Sequence, residues 1–190
     1  MKALLKSLFR GAFLALAFPG ALLCGFGRVR SAFSLFAQHA ALVPGLPGDY
    51  FRVAFYRMTL EYCHPESRIQ FGSFFAHPKA RVSQGVYIGS YCVLGQTEIG
   101  ERTEIGSAVQ ILSGRNQHVR DENGRIQSSE KGVFERVRIG ADCWIGAQAI
   151  VMADIGEGTT VGAGAVVIGK MPGRAVVVGN PARIVSPKEG

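Results

Sequence analysis

Pairs of metal-ligating residues at useful spacings are missing from this chain. The four cysteines, Cys24, Cys63, Cys92 and Cys143, form no CxxC pair, and the four histidines include no HExxH or similar motif. This gives neither a zinc signature nor a disulfide framework, so reduced, mostly buried thiols and no metal are expected. Charge is also scarce, at 18% of residues against 47% hydrophobic, which excludes a disordered chain. There is no collagen triplet and no Gly/Ser linker, yet glycine is abundant at 25 of 190 residues. Average usage is about 7%, so the excess has to sit inside regular structure.

The net charge of +7 is unevenly distributed. Residues 1–62 hold seven Lys/Arg (Lys2, Lys6, Arg10, Arg28, Arg30, Arg52, Arg57) against Asp49 and Glu61, and the other 128 residues hold fourteen against twelve. A basic body would point to nucleic acid; a basic, apolar N-terminus points to an anionic membrane surface. From Gly11 to Gly27 no charge occurs. Seventeen residues of helix reach about 25 Å, short of the ~30 Å hydrocarbon core. Positive residues flank the run on both sides, where a simple span carries them on one. The expectation is that 1–30 forms a helix or broken helix pair lying in or dipping into the cytoplasmic leaflet of the cell membrane, peripheral or monotopic. A signal peptide and an ordinary buried helix are the alternatives; the first lacks a small-x-small cleavage site.

Residues 31–66 read as two amphipathic helices capping a repeat domain C-terminal to them. Ser31 and Asp49 are the expected N-caps, and Pro44-Gly45 and Pro47-Gly48 the breaks between the helices. Phe51, Ala54, Phe55, Met58 and Tyr62 form one stripe, with Arg52 and Arg57 off it.

From about Ile69 a short period takes over. Ile88-Gly89, Ile99-Gly100, Ile105-Gly106, Ile139-Gly140, Ile145-Gly146, Ile155-Gly156 and Val161-Gly162 each place an aliphatic residue before glycine, with recurring steps of six. Six is wrong for a helix and suits a solenoid of short strands and tight corners. The aliphatics point inward and stack from coil to coil, and glycine is expected to supply positive φ at the corners. Ile88 to Ile99 is eleven residues and Ile145 to Ile155 ten, where two corner-to-corner steps would give twelve.

VRIGADCWIGAQAIV, IGEGTTVGAGAVV and VVVGNPARIV, within 69–185, resemble the hexapeptide-repeat acyltransferases. The branch that looks nearest includes maltose, galactoside and serine acetyltransferases and the xenobiotic acetyltransferases. The resemblance implies a left-handed parallel β-helix over 67–185, a short tail at 186–190, and a homotrimer. It also implies acetyl-CoA or another acyl-CoA as donor substrate.

The period stops between Ile111 and Val133, and residues 113–132, SGRNQHVRDENGRIQSSEKG, are polar. A loop of this length in a repeat is usually functional or disordered, and Asn123-Gly124 is a hairpin signal. We expect an arm reaching toward a neighbouring subunit. By the resemblance, His118 at its base corresponds to the family's catalytic base. Imidazole can take the proton of an acceptor hydroxyl as it attacks the thioester. Asn116 would orient His118 or bind the acceptor, or would simply bond its own backbone. Arg115 reads as a solvated loop residue. His77 and His64, each before proline, are rival bases and read as structural.

The resemblance further matches Ala147, Gly162, Gly164 and Ala165 to small residues along the pantetheine groove. Lys170, Arg174 and Arg183 are cations suited to the CoA phosphates. Asn180 and Pro181 would shape the closing turn, and Trp144 would pack in the core or a trimer interface. The expected function is therefore an acyl-CoA-dependent O-acyltransferase, an O-acetyltransferase acting on a sugar hydroxyl of a lipid-linked glycan or its precursor. An amino-sugar nitrogen would be served by the same base. The alternatives are a soluble xenobiotic or small-molecule acetyltransferase, and a non-catalytic scaffold or carbonic-anhydrase-like solenoid. No nucleic-acid partner is expected.

Overall fold

The computed structural model describes residues 2–128 and 131–187; Met1, residues 129–130 of the expected arm and 188–190 of the expected tail lie outside the described residues. Three helices precede a β-solenoid: α1 (Lys2–Leu23), α2 (Arg30–Ala41) and α3 (Gly45–Thr59). The uncharged run is not broken in two, for α1 continues through Pro19. Phe13 stacks on Tyr50 of α3 at 5.6 Å. Ala17 and Ala21 are buried on the same side, while the opposite side of α1 is exposed, with Leu16 at 65% and Leu23 at 68% of full accessibility.

Both expected caps are corrected. Helix α2 starts at Arg30 after Val29, with no side-chain cap, so Ser31 lies inside its first turn. Helix α3 follows Pro44 and starts at Gly45, whose φ is 66°. Pro47 therefore sits in the first turn, where its missing N–H leaves no bond unmade. Asp49 is a turn further in, and its carboxylate Oδ1 accepts a hydrogen bond from Arg52 Nη2 at 2.9 Å.

Arg52 is the larger correction, because it is fully buried rather than off the apolar stripe. Its Nε donates to the Ile69 carbonyl at 2.7 Å, and Nη1 to the carbonyls of Ala40 (3.1 Å), Ala41 (3.3 Å) and Val43 (2.7 Å). It thus caps the C-terminal carbonyls of α2, where Ala40 and Ala41 also accept the Val43 and Gly72 N–H groups, and ties both helices to the first coil. Burial lowers its pKa, and Asp49 opposes that shift.

The solenoid is the parallel β-helix of hexapeptide type expected from the repeat, with about six coils and an N-terminal helical region. Its three sheets have four, seven and five strands. The first faces outward with the strands 62–63, 81–82, 97–99 and 137–139, the second carries Tyr87, Glu104 and Trp144, and the third Phe74, Val93 and Ile150. Inner residues stack in register: Val82, Ile99 and Ile139; Ile69, Ile88, Ile105, Ile145 and Val161; Phe75, Leu94, Ile111, Val151 and Val167. All of them are at most 2% accessible. Burying such a side chain stabilises by about 1.5–3 kcal/mol before chain entropy is counted, and only stacked coils supply that burial.

Two of the three edges are regular. First to second sheet is six residues (Val82 to Ile88, Ile139 to Ile145), and so is second to third (Ile88 to Leu94, Ile145 to Val151). The return edge varies. Phe75 to Val82 takes seven, Leu94 to Ile99 five, and Val151 to Ile155 and Val167 to Met171 four each. The two short intervals in the sequence both fall on this edge, and so does the insertion after Ile111.

Glycine has a different corner role from the one expected. The glycines after the inward aliphatics do not carry the positive φ. A Cβ on Gly106 would lie 2.6 Å from the Ala147 nitrogen of the next coil, so absence of a side chain permits the coils to stack. The positive φ falls two residues later, at Ala108 (59°), Gln148 (62°) and Gly164 (69°).

The chain closes with Ala175–Val178 pairing antiparallel with Arg183–Pro187. Strand structure therefore runs two residues into the expected tail.

Candidate functional site

The arm begins where inward-pointing Ile111 ends a strand. Ser113 Oγ accepts from the Gln96 N–H at 2.8 Å, and the Glu135 N–H donates to the Ser113 carbonyl at 3.0 Å, which closes the arm's base. The Val133 N–H donates to the Asn116 carbonyl at 3.0 Å. Beyond this, residues 119–127 form a hairpin. The Gln127 N–H donates to Val119 O (2.8 Å), and the Asp121 carboxylate receives the N–H groups of Asn123 and Arg125, both at 2.9 Å. Gly124 takes φ 75° in the turn. The local Asx bonding and αL glycine explain why this polar stretch forms an ordered hairpin.

Beneath the arm base, on the irregular edge, is a groove of about 790 Å³. Its floor is the short corners Met152–Asp154 and Ile168–Lys170, and its wall is Arg115, Asn116 and the returning 135–138 segment. Short corners draw this edge inward while the inserted chain projects, and the recess lies between them. Four cations (Arg115, Arg136, Arg138, Lys170) face two carboxylates (Glu135, Asp154). Asp154 Oδ2 is 3.5 Å from Lys170 Nζ, and its Oδ1 accepts the Arg138 N–H at 2.9 Å. Arg136 is paired to Glu61 at 2.7 Å.

Of the expected site residues, the groove gathers Asn116 and Lys170, and it adds Arg115, which the sequence placed as a solvated loop residue. His118 is exposed immediately before the hairpin, makes no side-chain hydrogen bond among the described residues, and is not in the groove's lining. The expected donor residues fall on different edges. Ala147, Gly162, Gly164 and Ala165 lie on the corners between the second and third sheets, Arg174 on a corner between the first and second, and Arg183 on the last strand. Ala165 is fully buried, in the position occupied by Ala149 one coil earlier, so its side chain packs the interior and faces no groove. Arg183 Nη1 donates to the Ala182 carbonyl at 3.0 Å. Asn180-Pro181 is a cis peptide. Trp144 is 60% exposed and points off the second sheet, outside the core.

The groove residues Glu135, Arg136, Arg138 and Asp154 escape the sequence reading. In ERVRI the arginines alternate with inward Val137 and Ile139, a period-two signal that places them outward. Of the rival bases, His77 is held at 3.2 Å by Arg30 Nη2 on its Nδ1 and packs on Phe134 at 5.1 Å. Because a guanidinium only donates, Nδ1 must accept. Burial first, then the Arg30 and Lys79 cations, lowers its pKa. His64 Nδ1 accepts the Glu66 N–H at 3.2 Å.

The fold and the arm-edge groove define a hexapeptide β-solenoid with an inserted arm. No family model matches the chain. Over 114 residues it is 31% identical to serine acetyltransferase 2 of Arabidopsis thaliana, a match covering 57% of this chain and 31% of that protein. The chain thus matches about a third of that relative's length. Among solved structures it resembles a maltose O-acetyltransferase from Clostridium difficile (TM-score 0.66, 20% identity, 85% of this chain and 89% of that one). It also resembles a hexapeptide-repeat acetyltransferase from Vibrio cholerae solved with acetyl coenzyme A (TM-score 0.60, 19% identity, 90% and 91%). Sequence match and fold together make the chain similar to the hexapeptide-repeat acetyltransferases, with the β-solenoid fold they share.

Proposed function

We propose that this protein is an acyl-CoA-dependent O-acyltransferase, specifically an O-acetyltransferase, acting on a sugar hydroxyl of a lipid-linked glycan or its precursor at the cytoplasmic face of the cell membrane. The observation that carries the reading is the cationic groove beside the His118-bearing arm, on a fold shared with proteins solved with acetyl-CoA. Donor cations suit the CoA phosphates, and the matched maltose enzyme's name supports a sugar acceptor.

In this reading His118 is the general base. Its imidazole takes the acceptor O–H proton as the oxygen attacks the thioester carbonyl. The C–S bond then breaks, and the same proton passes to the departing CoA sulfur, leaving an ester and free CoA. His118 lies outside the groove lining of one chain, so the reading includes a homotrimer in which a neighbouring protomer completes the site. The outward ladder of Phe74, Val93, Ile150 and Val166 on the third sheet supplies apolar surface for such an interface.

Membrane attachment rests on α1. Its stretch Lys6–Leu23 is long and apolar enough to cross a membrane, and only 11% of it is buried. An α1 lying on or in the leaflet would place the solenoid beside a lipid-anchored acceptor.

The test is a CoA-thiol release assay over a panel of sugars. His118→Ala should lower kcat/KM by about 10²–10⁴ with an unchanged melting curve. Full retained activity would overturn the mechanism, and recovery of native protein wholly in the soluble fraction would overturn the membrane assignment.

A further inference from the structure

A second cavity, of about 390 Å³, opens between α1, α3 and the first coil and shares no lining residue with the arm-edge groove. Its lining carries four cations, Lys6, Arg10, Arg57 and Arg68. The carboxylates beside them are largely committed. Asp49 accepts from Arg52 at 2.9 Å and from Gln70 Nε2 at 2.7 Å, with Arg68 at 3.5 Å. Glu66 accepts from Gln84 Nε2 at 2.8 Å, while its other oxygen is 3.9 Å from Arg10. Lys6 and Arg57 have no ion pair among the described residues. Most telling, the buried Arg10 Nε has no hydrogen-bond partner among the described residues. A buried donor is normally satisfied, so an acceptor from outside the chain is the missing piece. The lining is also aliphatic in part, with Leu14, Val53 and Leu46, the last 64% exposed.

Four cations, an unmet N–H and exposed aliphatic surface in one cavity match a phosphate carrying an acyl chain. We infer that this cavity binds the phosphate headgroup of an amphiphile, with the phosphate on Arg10, Arg57 and Lys6 and the chain leaving over Leu46. It extends the membrane reading and is independent of acyl transfer. It would make α1 a headgroup-reading element as well as an apolar anchor.

The experiment uses the full chain with vesicles of phosphatidylcholine alone and of phosphatidylcholine doped with phosphatidylglycerol. Melting curves in glycerol phosphate form a second arm. R10Q/R57Q is compared with R102Q/R120Q, which removes equal charge from the solenoid and arm, and with R57Q alone, whose exposed side chain carries no fold contact. At about 1 kcal/mol per basic residue, R10Q/R57Q should bind doped vesicles roughly tenfold or more weakly, while the control pair stays near wild type. R57Q should fall between them. If glycerol phosphate raises the melting temperature of wild type but not of R10Q/R57Q, and vesicle doping has no effect, the phosphate site stands with a soluble ester as its ligand. If R10Q/R57Q and R57Q match the control pair in both arms, the site is overturned. Failure of wild type to bind either vesicle would tell against the membrane reading alone.

Discussion

Arg52 shows how one side chain can set the relation between two parts of a chain. It receives no help from solvent, and its hydrogen bonds reach α2, α3 and the first coil. Removing it leaves Asp49 short of a partner and the Ile69 and Val43 carbonyls without their donor among the described residues. Arg52→Ala should cost about 3–5 kcal/mol, lowering the melting temperature by about 10 °C. Urea and thermal unfolding would check this, and a variant within error of wild type would refute the role. The sequence does not reveal this burial, because an arginine between apolar stripe positions reads as solvated. Its acceptors lie in segments that only folding brings near. The thiols, by contrast, were legible as mostly buried. Their detailed role was not: Cys143 Sγ donates to the Gly156 carbonyl at 3.1 Å, as the Thr103 hydroxyl donates to Gly140 at 2.8 Å. A corner position accepts either side chain because both are small and carry one weak or strong donor.

At the scale of elements, the period of six was readable because each strand must put one aliphatic inward, whatever its neighbours do. The short intervals from Ile88 to Ile99 and from Ile145 to Ile155 were readable as well. That both lie on the edge that extrudes the arm was not, since assigning an interval to an edge requires the register of all six coils. The His77 contact joins this edge to the helices: Arg30 of α2 donates to its Nδ1, and Phe134 of the arm base packs on the ring. Protonating that nitrogen would break the bond and set two cations together. With the folded pKa lowered by burial and by Arg30 and Lys79, the unfolded chain takes up a proton more readily near its ordinary value of about 6.5. Stability from this contact is therefore complete above about pH 6.5 and is lost as pH falls through the folded value. Half-exposure of the ring trims the effect. His77→Gln should flatten the acid side of the stability profile, measured by urea melts from neutral to about pH 5. An unchanged acid slope would remove His77 from the account.

At the scale of the molecule, the three faces of the prism differ in chemistry. On the first sheet the outward residues Arg81, Glu98 and Arg138 are joined by ion pairs of 3.9 and 3.8 Å, a surface made for water. The third sheet turns Phe74, Val93, Ile150 and Val166 outward, with Gln110 the one polar interruption. An apolar ladder of this kind, facing away from the core, is what a subunit contact covers. The homotrimer proposed above would cover it in a closed ring, whereas an open arrangement would leave one copy unpaired. Charge placed in the ladder's middle would be buried without a partner at such a contact, with a cost of several kcal/mol per subunit. In the separated subunit the same charge would meet water and cost little. If the homotrimer proposed above is built through this ladder, Ile150→Glu should convert a species of three times 20.4 kDa into monomer in sedimentation equilibrium, with the coils still folded by circular dichroism. If His118 acts on a site that a neighbouring protomer completes, the same variant should lose acyl transfer at concentrations where it is monomeric. A folded, monomeric and fully active Ile150→Glu would show that one chain holds the whole site, and a trimeric one would move the interface to another face.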